Sequence, residues 1–157
     1  MPLVPINPSR TFEIWAISFV GPFSIPGRRT HTHYIITTVE YVTKWAKAEA
    51  VETCSSELAA KFIYENIITR FECPMTLISD RGSHFVNKTI DALTKEFRVD
   101  HHKTAAYHPQ ENGMVKSFNK TLVKGIHQIW LNHMRKVKMW KYNNRTYRLL
   151  WVCFKVS

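Results

Sequence analysis

The sequence predicts one α/β domain built on a mixed sheet flanked by helices. Three observations carry this. Strand-like runs come three in succession near the start of the chain, joined by short polar turns, as in an antiparallel meander. Helical and strand-like patterns then alternate, as they do where strands are joined by crossover helices. Finally, 157 residues with 45% hydrophobic content supply one sizeable core and fall short of two ordinary domains.

Residues 1–10 hold three prolines and read as an extended N-terminal arm outside the core. Phe12 to Phe23 is a nearly continuous apolar run ended by Gly21-Pro22, the pattern of a central buried strand, with Ser18 as its one polar interior residue. Pro26-Gly27 and two arginines make a turn, and Tyr34 to Val39 and Trp45 to Val51 complete the meander. Ser55, Ser56 and Glu57 start a helix whose apolar positions Leu58, Phe62, Ile63, Ile67 and Phe71 share one face up to Cys73-Pro74. Met75 to Ser79 is a short strand that presents Asp80 at its C-terminal end. Ile90, Leu93 and Phe97 mark a second helix, Val99 to His102 a brief edge strand, and Tyr107 to Gly113 a loop with His-Pro and Asn-Gly turn signals. A third helix follows, with Val115, Phe118, Leu122, Ile126 and Ile129 on one face and Lys116, Lys120 and Lys124 one turn apart on another.

Charge is placed unevenly. Residues 1–111 hold 12 Lys+Arg and 12 Asp+Glu; residues 112–157 hold the other 10 basic residues and no acid, which accounts for the whole net charge of +10. With Trp130, Trp140, Tyr142, Tyr147 and Trp151 interleaved, the segment suits a nucleic-acid backbone, and it equally suits a charge-biased tail that binds any polyanion weakly. Cys54, Cys73 and Cys153 are scattered without CxxC spacing, which argues against a disulfide framework and a thiolate zinc site and leaves reduced thiols as the expectation. His31 and His33 form a His-x-His pair that reads as solvated hairpin histidines before it reads as a metal site. No apolar run long enough to span a membrane and no apolar leader at Met1 to Arg10 are present, so the expectation is a soluble, intracellular chain.

Four strings sharpen the assignment. FVGPF (Phe19 to Phe23), YVTKW (Tyr41 to Trp45), SDRGSHF (Ser79 to Phe85) and YHPQENG…NKTL (Tyr107 to Leu122) stand in order at suitable separations. Together they resemble the integrase catalytic core of gypsy-type LTR retrotransposons, a ribonuclease H-like domain of the DDE type. The resemblance covers Pro5 to Gly125, implies a core-like domain over residues 11–130, and leaves residues 131–157 as a basic, aromatic tail that an altered reading frame or a truncated element would produce.

In that family the chemistry is 3′-end hydrolysis of DNA and attack of the 3′ hydroxyl on a target strand. It uses two Mg²⁺ (or Mn²⁺) ions held by two strand-end aspartates and a helix glutamate, because Mg²⁺ takes hard oxygen ligands. The resemblance puts Ser18, Asp80 and Lys116 at those positions, so Asp80 alone is retained. The formal charge of the three changes from three minus to zero (0 for Ser18, minus one for Asp80, plus one for Lys116). A unit charge pair at 4 Å is worth about 4 kcal/mol at an effective dielectric of 20, and a dication doubles the repulsion from an ammonium. The expectation is an impaired copy that does not assemble the metal pair. Glu13, Glu40 and Glu111 are the nearest substitutes in sequence, each needing a backbone shift of several residues to serve. The resemblance also implies DNA contact through Lys103, His108, Gln110, Asn119, Lys120 and Lys124, a homodimer and nuclear localisation. Two other readings stay open: a non-enzymatic nucleic-acid-binding module, and a transposon relic without function.

Overall fold

The computed structural model describes residues 10–23, 31–104 and 113–137. Its elements follow the expected order: β1 (Ile14–Val20), β2 (Tyr34–Glu40), β3 (Ala46–Val51), α1 (Ser56–Ile63), a π-helical turn (Tyr64–Ile68) closed by α2 (Thr69–Phe71), β4 (Thr76–Ser79), α3 (Lys88–Glu96), β5 (Asp100–Lys103) and α4 (Gly113–Val137). The strands form one sheet in the order β3-β2-β1-β4-β5. β1 to β3 are the antiparallel meander, whereas β1 with β4 and β4 with β5 are parallel. This is the mixed five-stranded sheet of a ribonuclease H-like domain, with β5 at an edge as expected. The contact pattern divides the chain into two units, Met1–Lys116 and Ser117–Ser157. The sheet and the helical segments from α1 to α3 belong to the first; α4 begins in the first and continues in the second to Val137.

β1 is shorter than the apolar run that encodes it. Phe12 takes a left-handed φ of 68° and turns its N–H to the Glu40 carboxylate instead of extending the strand. At the other end Gly21 has φ 133°, and a Cβ there would stand 2.7 Å from the His33 carbonyl oxygen, so glycine is required.

Alternation along β1 sends Trp15 and Ile17 into a cluster with Ile36, Leu77, Phe85, Ile90 and the α1 residues Ala59, Phe62 and Ile63. Burying a side chain of this size is worth about 1.5–3 kcal/mol, so this face dominates the stability of the sheet. Ile67 belongs to the same cluster although the π turn intervenes, and Asn66, buried beside it, donates to the Phe62 carbonyl. The regular α-helix expected from Leu58 to Phe71 is therefore widened by one turn, which sequence periodicity does not resolve.

Glu40 is fully buried and satisfied. Oε1 accepts the N–H groups of Phe12 and Val42, and Oε2 accepts the N–H and hydroxyl of Thr43. Burial opposes the charged form, but these donors outweigh it and hold the carboxyl below its ordinary range. The β2–β3 turn and the chain before β1 are thereby tied to one carboxylate.

His101 stabilises the end of β4. Ser79 Oγ donates to the Asp80 carbonyl oxygen at 2.8 Å, so the hydrogen bond of 2.8 Å between Ser79 Oγ and His101 Nε2 assigns the ring proton to Nε2. Nδ1 is then a buried acceptor without a partner. Burial, followed by the charge of Lys103, pushes the His101 pKa down to about 4; Asp91 and Asp100 oppose the shift, and His102 adds to it.

Two outcomes follow from these groups. The folded His101 pKa lies below its ordinary 6.5, so the unfolded chain binds the proton first. Stability is complete above pH 6.5 and falls by on the order of 2–3 kcal/mol as pH drops towards 4, and His101→Gln flattens this limb of a urea-midpoint profile. Glu40→Ala, which strands four donors, lowers stability at neutral pH by about 3 kcal/mol or more, read from the same denaturation curves.

Candidate active site

The parallel pairing of β1 with β4 builds the site. Ile14, Trp15 and Ala16 register with Thr76, Leu77 and Ile78; two residues further along the two chains stand Ser18 and Asp80. Ser18 is buried, 8% exposed, and its hydroxyl donates to the Phe19 carbonyl oxygen at 3.3 Å. Its own carbonyl accepts the Thr37 hydroxyl from β2. The hydroxyl is thus neutral and already used.

Asp80 follows the last residue of β4, with a side chain 43% exposed. Its Oδ1 accepts the Gly82 N–H at 2.8 Å, closing a short turn. Gly82 is required there, because a Cβ would come within 2.3 Å of the His84 ring and 2.9 Å of Asp80 Oδ1. His84 folds back so that Nε2 lies 3.6 Å from Asp80 Oδ1, and its ring meets Phe19 and Phe85 edge-on, with centroids 4.8 and 4.5 Å away. Cys54, from the connection between β3 and α1, completes the cluster with Sγ 3.2 Å from His84 Nδ1. Burial lowers the His84 pKa against the opposing charge of Asp80, and burial first and that same charge second raise the Cys54 thiol.

The sequence candidates are distributed as follows. Ser18 and Asp80 are brought to the ends of adjacent strands, while Lys116 is exposed in the first turns of α4, next to the buried Val115, and no interaction joins it to either among the described residues. Lys103 is committed to an ion pair, Nζ to Asp91 Oδ1 at 3.0 Å. Lys120 and Lys124 are exposed on α4 and Asn119 is half-buried there. His108 and Gln110 lie outside the described residues, as does Glu111. Glu40 is consumed by the turn it caps, and Glu13 Oε2 accepts the Arg10 N–H, so neither is a spare carboxylate at the end of β4. Among the described residues no three His, Cys, Asp or Glu side chains converge as a metal-ligand set. Cys54 and His101 carried no signal in the sequence beyond residue type, and His84 only its place in the string that contains Asp80.

Comparison with known proteins matches residues 8–109 to the integrase core domain family. The matched span contains Ser18 and Asp80 and ends before α4. Similar proteins include the Gag-Pol polyprotein of avian reticuloendotheliosis virus, 29% identical over 114 residues that make up 73% of this chain and 10% of that protein. The retrovirus-related Pol polyprotein from transposon 412 of Drosophila melanogaster is 27% identical over 116 residues, 74% of this chain and 9% of the polyprotein. The Gag-Pol polyprotein of koala retrovirus is 26% identical over 117 residues, 74% of this chain and 7% of the polyprotein. The chain spans about a tenth or less of the length of these relatives. The sheet order and the family match agree, and the chain belongs to the integrase core domain family.

Proposed function

We propose that the chain derives from the integrase of a gypsy-type LTR retrotransposon, that its ancestral activity is DNA integration, and that this copy is catalytically impaired. The observation that carries the reading is Ser18: a neutral hydroxyl, turned to the Phe19 carbonyl, stands at the β1 position beside Asp80 where the resemblance calls for an aspartate. Lys116 extends it, since an exposed ammonium replaces the third carboxylate. A donor set of one hydroxyl, one half-exposed carboxylate and one ammonium does not fit a pair of hard dications, which need several anionic oxygens close together. Asp80 therefore keeps a place in the fold's turn without the partners that would give it a metal.

The basic segment supports a nucleic-acid-binding function that needs no metal. Lys116, Lys120 and Lys124 recur one helical turn apart, and residues 112–157 contain no acid to offset them. Such lysines neutralise phosphates and release counterions, so they give affinity without reading sequence. DNA is the partner this reading favours, and residence in the nucleus follows from it. No helix among the described residues is long and apolar enough to cross a membrane.

The activity assay compares the chain with the double variant Ser18→Asp, Lys116→Glu in Mg²⁺ or Mn²⁺ on a DNA strand-transfer substrate. Product appears only with the double variant; metal-dependent product from the unaltered chain, lost on Asp80→Asn, would overturn the impaired reading. In binding measurements on duplex DNA, log affinity falls linearly with log salt and is unchanged by chelator, and Lys120→Gln with Lys124→Gln reduces the slope by about 1–2. An unchanged slope would remove α4 from the DNA contact.

A further inference from the structure

The sheet ends on one side at β3, which pairs with β2 and with no other described strand. The Glu40 N–H donates to the Trp45 carbonyl, and hydrogen-bonded pairs alternate along an antiparallel ladder, so the backbone groups of Lys47 and Glu49 turn inward to Thr38 and Ile36. Those of Ala46, Ala48 and Ala50 point out of the sheet edge. Native edges are commonly blunted by proline, a bulge or unmatched charge. β3 holds no proline, and its register with β2 runs unbroken from Ala46 to Val51. Its charged residues are the half-buried Lys47 and the exposed Glu49, and no hydrogen bond or ion pair joins either side chain to another described residue. The opposite edge differs, because β5 has its charges engaged within the chain, Lys103 with Asp91 and His102 with Asp100.

We propose that β3 is a self-pairing edge: a second copy of this chain adds its own β3 antiparallel to it, about a two-fold axis at Ala48. Such a symmetric pair sets one residue opposite its own copy. Centring on Lys47 or Glu49 would oppose like charges, whereas centring on Ala48 sets Lys47 opposite the second copy's Glu49 in both halves. In that register the outward backbone groups of Ala46, Ala48 and Ala50 meet those of Ala50, Ala48 and Ala46 and exchange N–H···O=C bonds. Lys47 and Glu49 then form the non-hydrogen-bonded pairs, whose side chains stand closest. The three alanines lie on the other face of the strand and put no bulk in the way of a neighbouring strand. Lys44 and Glu52, just beyond the two ends of β3, continue the same reciprocal charge order in the sequence. A foreign strand would have to carry acid and base in matching positions; a second copy has them by symmetry. The proposal rests on the edge of β3 and its charges and stands independently of the integrase reading.

The test follows the mass of the full chain by sedimentation over a concentration series, after removal of nucleic acid so that the basic segment cannot bridge copies. A concentration-dependent dimer is expected. Lys47→Glu and Glu49→Lys each set like charges opposite one another and raise the dimer dissociation constant about tenfold or more, with thermal melts that stay cooperative because both side chains lie at the sheet edge. Mixed one to one, these two variants recover the dimer as a heterodimer, since an acidic edge then faces a basic one. Ala48→Pro removes an outward N–H at an edge position where proline is accommodated, and it abolishes the dimer while the melt remains cooperative. A chain that stays monomeric, a dimer that survives Ala48→Pro or either charge change, or failure of the mixed variants to pair would overturn the proposal.

Discussion

The pairing of β1 with β4 is the constraint on which the rest depends. β1 is the central strand, hydrogen-bonded on both edges and buried on both faces, so it must be apolar nearly throughout. The parallel register with β4 follows from the crossover through α1, and it carries the chain after Ser79 back beside the C-terminal end of β1. Every group in the candidate site is placed relative to that pairing: Ser18 on β1, Asp80 just past β4, and Phe19 against the His84 ring.

This position explains how a serine is accommodated where the proposed ancestor carries an aspartate. A carboxylate at a site 8% exposed must be matched by a cation or by several donors, or it destabilises the fold. A hydroxyl makes one local hydrogen bond and needs no counter-charge. Under the proposed reading, replacement of the acid removes the function and relieves the electrostatic load together, so the sheet survives the loss of its metal. Glu40 shows the opposite case in the same sheet: a buried carboxylate retained because four donors surround it. Asp80 is intermediate, half-exposed and held by one backbone N–H, and therefore tolerable without an ion.

The two parts of the chain differ in electrostatics as well as in packing. The sheet-bearing part has balanced charge, and its ion pairs, such as Lys103 with Asp91, are internal to it. The segment from residue 112 onward holds basic residues and no acid, a charge balance suited to an external polyanion. Lys103, which the resemblance implies as a DNA contact, pairs with Asp91 of α3 within this part of the chain.

The element order, the meander and the edge position of β5 were legible in the sequence because burial imposes periods of two and about 3.6 that composition records directly. Ser18 and Asp80 were singled out through the resemblance, and Asp80 also through its place at the end of a strand. Other features had no one-dimensional signal: the left-handed Phe12 that shortens β1, the π turn in the first helix, the four-donor cage of Glu40, the chain from His101 through Ser79, and the cluster of Cys54 with His84. Most of these depend on residues far apart in sequence meeting at a set distance, which patterning does not encode. The sequence by itself therefore determined the class of the fold and the family, since both are written in local periodicity and short strings. Only the tertiary structure decided which polar groups are already satisfied and which remain available for a ligand, because hydrogen-bond satisfaction is a property of three-dimensional neighbours.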